Sequence, residues 1–348
     1  MKRKLLALAL CLSVTGAAFT ACAKTDVNSV ESETAAAETE AETAEETEAA
    51  EETAAETAAE TEAAADEDTF SYPLTLTDAY GNEVTIEEEP QTIVTVSPAL
   101  TEIVYALGGE DKLIGRSEYD DYPAEVSEVQ SVGAIDMPDT ELIVSLDPDV
   151  VLASSIFSEE AYNALTDAGI TVVIIKDETS LDALTTYVET VADVIGLHDE
   201  GEALAMEISD EIAEVADEAS ETIAGDGITV YYCMGYGEYG DYTAGGDTYI
   251  NDIIEVAGCE NAAADIEGWS ISTEELLELD PYIILVPSWG YDAFLETEPY
   301  TELTAVQEGR VLSVDPNLFE RIGPRNVDAV RTVYEYALDA NAVAHAGA

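Results

Sequence analysis

Residues 139–155, DTELIVSLDPDVVLASS, and residues 272–288, STEELLELDPYIILVPS, align without a gap. Each copy sets Thr-Glu at the head of an apolar helical stripe, follows it with Leu-Asp-Pro, and continues into a run of β-branched or Leu residues. Asp or Ser ahead of Thr-Glu is an N-cap, the proline stops the helix, and the short apolar run that follows has the length of a buried strand. In the second copy Ser272 and Glu275 have capping-box spacing. A weaker pair, TEIVYALGGED from Thr101 and NDIIEVAGCEN from Asn251, repeats at a different offset. Two pairs in the same order predict two similar lobes.

The rest of the chain fits around that repeat. From Tyr72, YPLTLTDAYGNEVTI gives two alternating runs about a Gly-Asn turn, a β-hairpin. TIVTVSP then reads as a buried strand, and LTEIVYALGGED as an amphipathic helix stopped by Gly108 and Gly109. Strand and helix alternate onward, as in an α/β protein with a largely parallel sheet. Between the repeats, residues 181–224 are helical in pattern, broken near Gly196 and resumed at His198 or Asp199. The expected fold is therefore α/β: two similar Rossmann-like lobes, at 72–195 and 226–340, joined by a long rigid α-helix at 196–225. A ligand cleft is expected between the lobes, because gaps between domains are where small molecules bind.

Composition removes several functions. The chain carries 76 Asp and Glu against 11 Lys and Arg, a formal charge of −65. Phosphate neutralisation needs clustered cations, so a nucleic-acid partner is excluded. The acidity itself suits solubility and self-repulsion. Only two histidines occur, His198 in the hinge region and His345 in the tail, so no Ser-His-Asp arrangement is expected, and no HExxH motif or Cys-His cluster exists. No catalytic and no metal-ligating residues are assigned, and the protein is not expected to be an enzyme. A carboxylate-based glycoside hydrolase remains the enzymatic alternative, because carboxylates abound although no motif marks a pair. Cys233 and Cys259 fall in the folded part, with their pairing open.

The front of the chain is built differently. Residues 1–22, MKRKLLALALCLSVTGAAFTAC, have a basic start, a short apolar run and small residues before Cys22. This resembles a bacterial lipoprotein signal with lipidation at Cys22, although Phe19 stands where that pattern has Leu or Val. Residues 23–71 form an acidic tether whose Glu-Thr-Ala repeats between 26 and 68 contain no Leu, Ile or aromatic, so they bury nothing.

Together, VSPALTEIVYALG, the loop EYDDYP at 118–123, the two Thr-Glu units and FERIGPR at 319–325 resemble the helical-backbone class of ABC-transporter solute-binding proteins, which take cobalamin, ferric siderophores or haem. The likeness covers about residues 72–338. SPALTE, YDDYP and FERIGPR are most similar to the cobalamin-binding branch. The resemblance implies a monomer at the outer face of the cytoplasmic membrane, lipid-anchored, handing a small-molecule ligand to a permease dimer with its ATPase subunits. It implies no cofactor beyond the ligand, cobalamin or an iron chelate.

Site residues follow from both sources. Glu141 and Glu274 occupy matched positions in first helical turns, where the macrodipole alone would favour a carboxylate; the resemblance makes them the permease-docking pair. Tyr119, Met234, Tyr236, Trp269 and Trp289 fall at strand ends or in loops, placed to face a flat macrocycle or simply to pack as core. By resemblance, Ser97 and Pro98 edge the cleft and Arg321 points into it. Arg325 lies in the first turn of a helix, the wrong charge for the dipole, so it calls for an acidic partner elsewhere. Ferric siderophores and haem remain alternatives, but anionic ligands fit a chain this acidic less well than cobalamin, whose rim is rich in amides.

Overall fold

A computed structural model describes residues 70–346 apart from 224 and 226. The signal, nearly all of the tether and the proposed lipidation site Cys22 lie outside the described residues.

The hairpin pairs β1 (Leu74–Thr77) with β2 (Glu83–Ile86), antiparallel. The N-terminal lobe then runs β3 (Ile93–Thr95), α1 (Pro98–Ala106), β4 (Leu113–Gly115), α2 (Thr140–Leu146), β5 (Val150–Ala153), α3 (Glu159–Asp167) and β6 (Val172–Ile174). Two helices follow, α4 (Leu184–Ile195) and the 25-residue α5 (His198–Thr222). The C-terminal lobe comprises β7 (Thr229–Gly235), β8 (Asp241–Thr243), α6 (Tyr249–Val256), β9 (Glu260–Asn261), β10 (Ser270–Ile271), α7 (Thr273–Leu279), β11 (Ile283–Pro287), α8 (Tyr291–Glu296), α9 (Thr304–Glu308), β12 (Val311–Val314), α10 (Asn317–Glu320) and α11 (Asn326–Ala346).

The duplication is visible in the topology. The first sheet has the order β4-β3-β5-β6, all parallel. In the second, β9, β7, β11 and β12 repeat that order in parallel, and the antiparallel β8 and β10 extend the sheet beyond β7. Helices α2 and α7 match residue for residue. Each is capped by the side chain before it, Asp139 or Ser272, and each ends on a left-handed aspartate, Asp147 or Asp280, ahead of a proline. Only the serine half of the capping box forms, with Ser272 Oγ accepting from Glu275 N at 3.1 Å.

Alternation along the paired strands sorts the core into three parts. Val150 and Leu152 of β5 face a central cluster, while Val151 and Ala153 face an outer one. On β11 the equivalent Ile283 and Leu285 face the same central cluster, and Ile284 and Val286 face a second outer one. A strand's side chains alternate between faces, so each sheet is covered on both sides. The central cluster belongs to both lobes and includes residues of α1, α4, α5, α6 and α11. The lobes thus share a core below the cleft as well as the α5 connection, which at 1.5 Å per residue is about 37 Å long.

The break expected at Gly196 is a left-handed turn, φ 78°, after which α5 folds back on α4. At Gly201 the two helices approach so closely that an added Cβ would collide with the Ala192 methyl. His198 opens α5, its Nδ1 2.6 Å from an Asp193 oxygen and its ring stacked on Phe70. Cys233 and Cys259 are both buried and free, and burial pushes each thiol up to about 12.

Two outcomes test this frame. Gly201→Val is expected to lose about 1–3 kcal/mol of stability through overpacking of the α4–α5 contact, measured by urea denaturation; an unchanged midpoint would refute that contact. The Asp193 hydrogen bond raises the His198 pKa. Its stabilisation is therefore complete below the ordinary value of about 6.5 and is lost as pH rises through the higher folded value. A proton-resonance titration should place His198 above a model peptide, and His198→Gln should flatten the unfolding midpoint over that window.

Candidate ligand cleft

The parallel strands of the first sheet and β7 of the second end on the same cavity, of about 550 Å³. Ser97 and Pro98 follow β3, Tyr119 follows β4, Ser154 follows β5, and Met234 stands at the end of β7. In open α/β sheets this carboxyl end is where ligands sit. Trp269, just before β10, and Arg321, just after α10, bring the C-terminal lobe to the opposite wall. Ile135, Ile156 and Ile322 add apolar surface. The core is continuous beneath, yet a gap separates Tyr119 from Trp269, as a cleft between lobes requires.

Beside this cavity the three motif segments meet. The Glu102 carboxylate, its side chain 5% exposed, accepts from Arg321 Nη1 at 2.7 Å and from Arg325 Nη1 at 3.1 Å. Arg321 also donates to Asp121 at 2.6 Å, and Arg325 to Asp315 at 3.3 Å. The Arg325 guanidinium lies 4.0 Å over the Tyr122 ring. Burial would loosen the Arg321 proton, but the bonds to Asp121 and Glu102 outweigh it and raise the pKa. Next in line, buried Asp120 accepts from Thr101 Oγ1 at 2.5 Å and from the Ser117 hydroxyl, and burial raises its pKa. The N-terminal lobe is thereby pinned to the C-terminal lobe by ionic hydrogen bonds.

Six of the eight residues expected at the ligand line this cavity: Ser97, Pro98, Tyr119, Met234, Trp269 and Arg321. The other two do not. Tyr236 turns into its own lobe, packing edge-on against Phe294 and Tyr300 and donating its hydroxyl proton to Gly290 O at 2.7 Å. Trp289 follows β11 on the surface, 67% exposed. The expectation of an acidic partner for Arg325 is met, though α11 begins at Asn326, beyond both Pro324 and Arg325. Arg321 lines the cavity while its terminal nitrogens are engaged by Glu102, Asp121 and Tyr119 O.

A family model described as periplasmic binding protein matches residues 93–318. The chain belongs to that family. It is 34% identical over 276 residues to the uncharacterized ABC transporter substrate-binding lipoprotein YvrC of Bacillus subtilis, covering 78% of this chain and 87% of that one. It is 31% identical over 271 residues to a cobalamin-binding protein of Halobacterium salinarum, covering 74% and 72%. Among solved structures, the apo periplasmic heme-binding protein RhuT from Roseiflexus sp. RS-1 superposes with a TM-score of 0.66 at 27% identity, covering 72% and 98%. The family is a class of solute-binding proteins rather than of enzymes.

In this binding protein Glu141 and Glu274 occupy the first turns of α2 and α7, both exposed and neither bonded among the described residues. Sequence reasoning missed Glu102, Asp177, Glu178 and Glu320. Glu102 carried one legible signal, a carboxylate among the apolar positions of a helix otherwise facing the core. Asp177 and Glu178 follow the apolar run that ends at Ile175, the place where a strand opens onto a cleft.

Replacing Glu102 by Gln should cost about 3 kcal/mol, because both arginines then lose a buried counter-charge. They keep Asp121 and Asp315, which holds the loss near the low end for broken buried pairs. Chemical denaturation measures it, and a loss under about 1 kcal/mol would show that the bridge does not hold the lobes.

Proposed function

We propose that the protein captures cobalamin or a related corrinoid outside the cytoplasm for an ABC importer. The observation that carries this reading is the cleft: a large, mainly apolar cavity faced by Tyr119 from one lobe and Trp269 from the other. Such walls suit a bulky macrocycle that presents a broad surface and few charges. The cobalamin-binding relative supports the choice.

A ferric-siderophore or haem cargo is the second reading, favoured by the likeness to a heme-binding structure. It requires cations for anionic rim groups. Arg321, the one arginine among the residues lining the cleft, already faces Glu102 and Asp121, so it has little net charge to offer. Cobalamin conflicts less with that arrangement.

The mechanism is capture without catalysis. Ligand enters between lobes that share a core, so closure is a small hinge movement rather than a wide swing. Loaded protein presents Glu141 and Glu274, one on each lobe, to arginines of a two-fold permease, and a separate ATPase subunit drives release. The unbonded state of both carboxylates supports this role, which acts chiefly on encounter rate and register. The chain works as a monomer, anchored through a lipid on Cys22, and the acidic tether keeps it near the permease.

Calorimetric titration of the purified protein with cyanocobalamin, haemin and several ferric siderophores tests the cargo. Tight binding of cyanocobalamin is expected, with Trp269 fluorescence quenched; tight binding of haemin alone would transfer the assignment to haem. Arg321→Ala should weaken cobalamin binding roughly tenfold or more, by freeing Glu102 and Asp121 from the bridge that holds the two cleft walls. A Glu141→Ala, Glu274→Ala double variant should keep its affinity for ligand yet lose most uptake in vesicles containing the permease; unimpaired uptake would remove the docking assignment.

A further inference from the structure

The cleft also carries three carboxylates that the clamp does not use. Asp177 and Glu178 enter from the segment after β6, and Glu320 from the end of α10 on the opposite lobe. Their protein donors are few. Asp177 accepts from Ser155 N at 3.1 Å and from the Ser155 hydroxyl, and Glu320 Oε1 accepts from Tyr232 OH at 3.0 Å. Glu178 meets Lys176 at 3.2 Å, and that lysine is 72% exposed. An ionised carboxylate has about four acceptor positions. Each of the three therefore retains acceptor capacity on the wall of the cavity.

Lys176 pairs with Glu178 alone, and the one cation among the described residues lining the cleft, Arg321, is bonded to Glu102 and Asp121 rather than to Asp177 or Glu320. A second feature lies beside the same segment. A side cavity of about 300 Å³ meets the main cleft at Glu178, which lines both. Its wall includes Tyr187, 3% exposed, whose hydroxyl has no hydrogen-bond partner. This end of the cleft thus offers spare acceptors, and the side cavity that opens from it at Glu178 holds one unsatisfied hydroxyl.

We propose that Asp177, Glu178 and Glu320 form an acceptor subsite that reads the rim of the cargo, taking carboxamide groups and rejecting carboxylates on the same ring. A carboxamide brings N–H donors to a carboxylate without adding charge, and a donor to an ionised acceptor makes a stronger bond than a neutral pair. A carboxylate in the same place brings no donor and meets like charge, which costs several kcal/mol across an interface. Discrimination arises as much from repelling the wrong rim as from bonding the right one. The inference rests on the corrinoid reading and adds to it a basis for choosing between amidated and unamidated forms of one macrocycle.

The test compares two ligands that share a ring. The intact protein is titrated at neutral pH with cyanocobalamin, with cobinamide, which keeps the amide rim but lacks the nucleotide loop, and with cobyrinic acid, which also lacks the loop and carries carboxylates in place of the amides. Cobinamide and cobyrinic acid are the two compared, and cobyrinic acid is expected to bind at least about a hundredfold more weakly. In Glu320→Gln and Asp177→Asn variants, checked for folding by thermal melting, that ratio should shrink by about tenfold each. Equal binding of the two ligands by the unaltered protein overturns the subsite while leaving the cargo assignment standing. A ratio unchanged in both folded variants also overturns it, as discrimination then arises elsewhere. Failure of cyanocobalamin itself to bind overturns both readings together. Two substitutions at separate places in the fold are used so that either one, if folded, reads the ratio, and equal binding by the unaltered protein overturns the subsite without any variant.

Discussion

The carboxylate of Glu102, held between Arg321 and Arg325, is the constraint on which the arrangement of the cleft depends. It is the least exposed charged group of its cluster, and it belongs to α1 while both arginines belong to the segment before α11. Taking such charges out of water is costly unless each finds a partner. Here every member does: Arg321 reaches Asp121, Arg325 reaches Asp315, and Tyr122 covers the second guanidinium. The pinned region sets how far apart the two walls can stand.

A shared apolar core does the same work from below. The inner faces of both sheets, through Val150 and Leu152 on one and Ile283 and Leu285 on the other, pack against one set of helices. Close-packed interiors deform little. Opening the lobes widely would break both the core and the ionic bridge, so the cleft is pre-formed. A pre-formed site does not have to order itself around its ligand, and its affinity is higher for it.

Polarity within the cleft is distributed to match. Apolar and aromatic groups cover the broad walls, whereas Asp177, Glu178 and Glu320 provide acceptors at its edge. The arginine most suited to an anion has been turned inward on the protein's own carboxylates. The protein's overall negative charge therefore extends into the proposed ligand cleft, which is chemically consistent with a cargo bearing amides.

The alternation of helix and strand, the duplicated lobes, the hairpin and the interruption at Gly196 were all legible in the sequence, because each depends on local periodicity, capping residues or glycine. The repeat was the strongest signal: residues 150–153 and 283–286 project to equivalent faces, since a gapless alignment preserves a two-residue period. Strand-end and loop positions also located Tyr119, Met234 and Trp269 on the cavity wall, and the family resemblance located Ser97, Pro98 and Arg321. Tertiary structure alone decided the rest. Tyr236 and Trp289 stand at similar strand ends, but side-chain direction there depends on neighbours far along the chain, and Phe294 and Tyr300 draw Tyr236 into the lobe. Glu102 and Arg321 lie 219 positions apart, and no local pattern encodes a pair that exists only when two lobes close on a common core.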